Sequence, residues 1–168
     1  MKVTSSGIVG GVIEDRFGCR GETNEQGIPS RSLPLKFEEA PEGTVSYALM
    51  IEDKDAFPVS GGFAWIHWMA ANITTNELLE DASVNNPDFV QGVNSWISIQ
   101  GGSHPEEVCS KYGGMAPPDG HGTHVYEIKV YALDTMLDLK DGFHLNQMYH
   151  AMEGHILDEA VLKGRYTN

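Results

Sequence analysis

Basic residues are scarce in this chain of 168 residues: 11 Lys and Arg stand against 24 Asp and Glu, for a formal net charge of −13. No cluster of Lys or Arg occurs anywhere in it, which argues against a nucleic-acid partner and against docking on an anionic membrane surface. Cysteine is nearly absent as well. Cys19 and Cys109 lie far apart and outside any CxxC context, so a paired zinc motif is excluded and two free thiols in a reducing compartment are expected. No stretch approaches the ~20 apolar residues that a membrane span requires, so no membrane insertion is expected. The opening MKVTSSGIVGGVIEDRFG has a broken apolar run, unlike a signal peptide, and the expected location is the cytoplasm. Linkers, repeats and low-complexity runs are also missing. At 18.4 kDa and 40% hydrophobic content, residues 1–168 are expected to form a single domain around one sizeable core.

Two stretches carry the chemistry. In the first, Tyr112 to Leu133, a loop becomes a strand. Gly113, Gly114, Pro117, Pro118, Asp119, Gly120 and Gly122 prevent any regular ladder in its first half. In its second half, alternation puts His124, Tyr126, Ile128, Val130 and Ala132 on one face and Val125, Glu127, Lys129, Tyr131 and Leu133 on the other. An imidazole and a phenol beside glycine-rich backbone amides suit an anion. The plainer alternative is a His and a Tyr hydrogen-bonded at a strand end. The second stretch, Tyr47 to Ile73, reads as strand, acidic loop, strand. Asp53 and Asp55 close its first strand, and alternation in the second groups Trp65, His67, Met69 and Ala71.

Together these stretches resemble the phosphatidylethanolamine-binding protein family, also called Raf kinase inhibitor protein-like. The family's Asp-Pro-Asp-Ala-Pro loop and Trp-x-His strand match Asp53-Lys54-Asp55-Ala56 and Trp65-Ile66-His67. Its Gly-x-x-Pro-Pro-x-Gly loop and His-x-Tyr match Gly114 to Gly120 and His124-Val125-Tyr126. Leu33 to Phe37 and Pro41 to Thr44 are similar to its entry strand and turn, and Gly154 to Leu157 with Gly164 to Tyr166 to the closing helix and strand of its bacterial and archaeal branch. Three positions depart from the pattern: Lys54 replaces a Pro, Met115 replaces a Pro, and Val125 stands where animal members have Arg. The last removes a bidentate guanidinium, the best single phosphate partner.

The resemblance implies a mainly β fold, an antiparallel Greek-key-like β-sandwich with a C-terminal α-helix or two short helices packed on it. The many short strands separated by Gly and Pro turns agree independently. It also implies a ligand pocket built from Asp53, Asp55, Trp65, His67, Gly114, Pro117, His124 and Tyr126. His67, His124 and Tyr126 would donate to a small phosphate- or carboxylate-bearing ligand, Asp53 would orient one imidazole, and Pro117 and Pro118 would stiffen the rim. If the histidines must be charged, affinity should rise as pH falls through ~6.5. Asp53, Asp55, His67 and His124 include metal-ligand types, but Tyr126 and the glycine loop suit an anion better, and neither a metal nor another cofactor is expected. With no GxSxG elbow and no evident nucleophile, an enzyme is not expected. Family members in animals inhibit kinases and a fungal one inhibits a protease, so the competing implication is a regulator with a kinase or protease partner. Bacterial members are often dimers, which adds a homodimer.

Elsewhere, Thr74 to Val90 suits a short helix or an ordered loop, and Val93 to Ile99 a short strand. Leu145, Met148, Tyr149 and Met152 fall at helical spacing, which Ile156, Leu157, Ala160 and Val161 continue, giving one helix or two joined at Gly154.

Overall fold

The structure is a computed structural model that describes residues 1–85 and 88–168. Among the described residues ten strands run in the order β1 (Lys2–Thr4), β2 (Ile8–Val9), β3 (Val12–Ile13), β4 (Leu35–Glu38), β5 (Ser46–Asp53), β6 (Trp65–Ile73), β7 (Glu77–Leu78), β8 (Val90–Gly92), β9 (Thr123–Leu133) and β10 (Ile156–Thr167). Three one-turn helices, α1 (Phe57–Ser60), α2 (Ala82–Asn85) and α3 (Glu106–Cys109), precede a longer α4 (Leu145–Met152). The strands form a small sheet ordered β1-β4-β7 and a large one ordered β2-β3-β10-β9-β5-β6-β8. All pairings are antiparallel except β3 with β10. The fold is a mainly β sandwich.

The alternation read along β9 is the observed one. Tyr126, Ile128, Val130 and Ala132 face a core shared with Leu35 and Phe37 of β4 and with Leu49 and Ile51 of β5. On the other face, Tyr131 and Leu133 join Ala48, Met50, Met148 and Met152 in a second core beneath α4. β5 is buried along its whole length because both of its faces are covered, so it reads as an apolar run with no alternation.

β6 does not keep a simple alternation. Asp53 pairs with Trp65 and Glu52 with Ile66, but Ile51 pairs with Trp68, which leaves His67 as the extra residue of a β-bulge. Beyond it the faces swap. Trp68 and Ala70 enter the first core and Met69 and Ala71 the second, so the grouping of Trp65 and His67 with Met69 and Ala71 is corrected.

Two element expectations are corrected as well. Past Gly154 (φ +80°) the chain is the strand β10, and it pairs with β9 from Ile156↔Leu133 to Thr167↔Thr123. The backbone groups on that side of β9 need a ladder partner, and β10 supplies it while turning Ala160, Leu162 and Tyr166 to the core. Within 93–99 the regular element is a 3₁₀ turn, Ser95–Ile97, started by the Asn94 side chain accepting from the Trp96 N–H at 3.0 Å. In the 74–90 segment the structure shows β7 and α2; Asn86 and Pro87 lie outside the described residues.

Candidate functional site

Three neighbouring strand ends build the site. Asp53, the last residue of β5, pairs with Trp65 of β6 on one side and with Tyr126 of β9 on the other. His124 lies two residues before Tyr126 on the same face, and the bulge at His67 re-aims that ring relative to the rest of β6. Asp53, Trp65, His67, Pro117, Pro118, His124 and Tyr126 all line one cavity of about 220 Å³. Residues distant in sequence thus meet because β5 lies between β6 and β9.

Each imidazole is pinned from behind. His124 Nδ1–H donates to Asp53 Oδ2 at 2.7 Å, and both residues are only 3% exposed. The other Asp53 oxygen accepts from the Asp55 N–H at 2.9 Å. His67 Nδ1 lies 2.7 Å from the Gly113 carbonyl oxygen and 3.1 Å from that of Gly114, while the Gly113 N–H donates back to the His67 carbonyl at 2.8 Å. Around the two imidazoles, Trp96 stands edge-on to Trp65 at 5.1 Å and to His67 at 5.3 Å, and Tyr126 edge-on to His67 at 5.1 Å.

Burial lowers the pKa of His67, outweighing the opposing pull of Asp53 and of the Gly113 and Gly114 carbonyls. Burial, and then Asp53, raise that of Tyr126, so its phenol remains a neutral donor. Three polar atoms of lining residues are buried and without a hydrogen-bond partner: Trp65 Nε1, His67 Nε2 and Tyr126 Oη. Such atoms cost roughly 1–3 kcal/mol each when left unpaired. All three belong to residues that line the one cavity.

Two residues expected in the lining stand elsewhere. Asp55 is exposed, and its Oδ2 accepts from the Val125 N–H at 2.8 Å, which anchors the start of β9. Gly114 lies behind His67; its N–H donates to the Pro29 carbonyl at 2.8 Å, and a Cβ there would come within 2.3 Å of the Phe17 carbonyl oxygen. The amides of Gly113 and Gly114 are therefore spent on protein carbonyls, and the expected cradle of glycine N–H groups is replaced by carbonyls that orient a histidine.

The departures from the family pattern fall outside the cavity. Val125 is on the opposite face of β9 from His124, and Lys54 turns outward to Glu127 at 2.6 Å. Met115 is buried, with its carbonyl accepting from the Cys19 N–H at 2.7 Å. Sequence reasoning missed Ala56, Val59, Trp96, Gln100, Gly101 and Ala116 as lining residues. Only Trp96 carried a signal, an aromatic placed between an Asn cap and a glycine pair. Among the described residues, no three His, Cys, Asp or Glu side chains converge as metal ligands would.

Comparison with known proteins agrees with this architecture. The family model described as phosphatidylethanolamine-binding protein matches residues 4–167. The uncharacterised protein YxkA of Bacillus subtilis is 44% identical over 141 residues, covering 82% of each chain. The crystal structure of the phosphatidylethanolamine-binding protein homolog CT736 from Chlamydia trachomatis superposes with a TM-score of 0.77 at 30% identity, covering 99% of this chain and 97% of that one. That of Escherichia coli YbcL gives 0.75 at 27% identity, covering 99% and 98%.

Proposed function

The chain belongs to the phosphatidylethanolamine-binding protein family, and from that premise we propose that its cavity binds a small oxyanion: free phosphate or the phosphate of a phosphorylated head group. The observation that carries this reading is the set of three buried, unpartnered polar atoms on one wall system, Trp65 Nε1, His67 Nε2 and Tyr126 Oη. A guest that hydrogen-bonds to them recovers what their burial costs. The volume of about 220 Å³ suits a head group and not a whole lipid, and Trp65 and Trp96 give the cavity aromatic walls.

Binding without turnover is the chemistry these residues favour. Among the described residues no Ser, Thr, Cys or Lys lines the cavity, so the Asp53–His124 pair has no aliphatic hydroxyl, thiol or amine to activate, and the one phenol, Tyr126, is held neutral by burial. Asp53 is itself engaged on both oxygens, which suits it to holding a ring and not to attacking a substrate.

The test is an NMR titration of the histidine ring signals with phosphate, a phosphate monoester and phosphoethanolamine, on wild type and on His124→Ala. His67 and His124 should shift together and saturate, and the variant should respond far less. Rings that do not move at millimolar ligand would overturn the proposal.

A further inference from the structure

His67 is fixed through Nδ1 to groups that can only accept, the carbonyl oxygens of Gly113 at 2.7 Å and Gly114 at 3.1 Å. In a neutral ring the proton must therefore sit on Nδ1, which leaves Nε2 as a lone pair. That atom is buried and has no hydrogen-bond partner, on a ring that lines the cavity. His124 is fixed in the same sense, with Nδ1–H donating to Asp53 at 2.7 Å, so its neutral form also leaves Nε2 as an acceptor. A fully deprotonated oxyanion offers only lone pairs. Facing His67 Nε2 it would meet another, and among the described residues no Lys or Arg lines the cavity to compensate.

Taking the pocket as an oxyanion site, as proposed above, we infer that it admits its guest only together with one proton, so that the bound species is a monoprotonated oxyacid such as the monoanion of a phosphate monoester. The P–OH donates to His67 Nε2, and the remaining oxygens accept from Trp65 Nε1–H and Tyr126 Oη–H. Where solution holds only the dianion, complex formation takes one proton from the medium. That proton rests either on the phosphate oxygen or on His67 Nε2; the count is one in both cases, and only O–H and N–H bonds change.

The groups around His67 come from several elements. Asp53 of β5 favours a charged ring, as do the two glycine carbonyls behind it, whereas His124 of β9 disfavours one. Tyr126 of β9 is a neutral phenol, and Trp65 of β6 and Trp96 carry no charge. His121, in the loop before β9, stands 5.9 Å from the His124 ring, and Asp55 reaches Asp53 only through its N–H. Tyr112, beside Gly113, donates to the Phe17 carbonyl at 2.7 Å. Lys54 and Glu127 pair with each other at 2.6 Å, outside the cavity lining. Burial outweighs these influences and keeps the free ring neutral.

The deciding experiment is calorimetric titration of the full chain with methyl phosphate and with inorganic phosphate, in two buffers of different ionisation heat. It is run at about pH 8, where methyl phosphate is almost wholly the dianion because the second pKa of a phosphate monoester is about 6. The expected result is uptake of about one proton per ligand, with affinity falling about tenfold per pH unit above that pKa. His67→Gln, which places a non-titrating amide near the Nε2 position, should bring the uptake close to zero. The free wild-type protein gives a second readout that needs no variant: the ¹⁵N signals of His67 should show a protonated Nδ1 and a bare Nε2. Binding without proton uptake, or an Nε2–H tautomer in the free ring, would overturn the inference and leave the oxyanion site standing. No binding at either about pH 5.5 or about pH 8 would overturn both.

Discussion

A buried neutral imidazole ties the protein's stability to pH, and His67 is such a ring. Its pKa is lowered by burial from the ordinary 6.5, so between that value and the lower folded one the unfolded chain binds more protons than the native state. The contribution of His67 is therefore fully present above about pH 6.5 and is lost as pH falls toward the folded value. In His67→Gln the decline in stability between about pH 7 and about pH 5 should be shallower than in wild type, measured by urea denaturation at several pH values. An unchanged slope would show that the ring titrates normally. At this scale the sequence was informative where residue type and strand phase suffice: His124 and Tyr126 fall on one face of a regular strand. It was uninformative about which atom of a ring is engaged and about glycine amides, because hydrogen-bond direction depends on carbonyls that the fold brings up from behind. Asp55 shows the same gap: a carboxylate beside Asp53 in sequence has its side chain bound to the Val125 N–H instead.

Helix and strand can share one sequence pattern, and the closing segment shows how the ambiguity is resolved. Ile156, Leu157, Ala160 and Val161 continue a helical spacing from α4, yet Ala160, Leu162 and Tyr166 equally satisfy a strand whose other face meets solvent. The unpaired side of β9 decides, because eleven residue pairs of β10 lie against it. Gly154 makes the change of direction possible: its φ of +80° is in the left-handed region, and nothing lies within 4 Å of where a Cβ would project. Gly154→Ala should therefore act through the backbone alone, costing about 1 kcal/mol in urea denaturation without altering the histidine ring signals. The bulge at His67 was equally hidden, since a bulge is a property of pairing between strands and no single strand encodes it.

Across the whole molecule the acidic balance first read from composition has a structural counterpart on the outer face of the large sheet. Glu127 lies 2.6 Å from Lys54, 2.9 Å from Lys163 and 3.9 Å from Lys129, so three of the few cations gather on one carboxylate. Hydrogen bonds from Lys54 and then Lys163 pull its pKa from the ordinary 4.5 down to about 2. The stability this supplies is complete above about pH 4.5 and is lost as pH falls toward 2, so Glu127→Gln should make the acid limb of a thermal-melting profile less steep. Added salt should weaken the same effect, because Lys54 and Lys163 are largely exposed. The pocket, by contrast, depends on closure of the chain over long distances. Asp53 and His124 are 71 residues apart and His67 and Gly113 are 46 apart, and the first pair is joined across the β5–β9 seam of the large sheet. Such closures carry an entropic cost that rises slowly with the length of chain between the partners, and distant pairings of this kind slow folding. No excised hairpin contains the pocket, and nascent chain still short of β9 has no part of its histidine clamp on Asp53. A complete pocket is thus a certificate that the central strands have found their native neighbours.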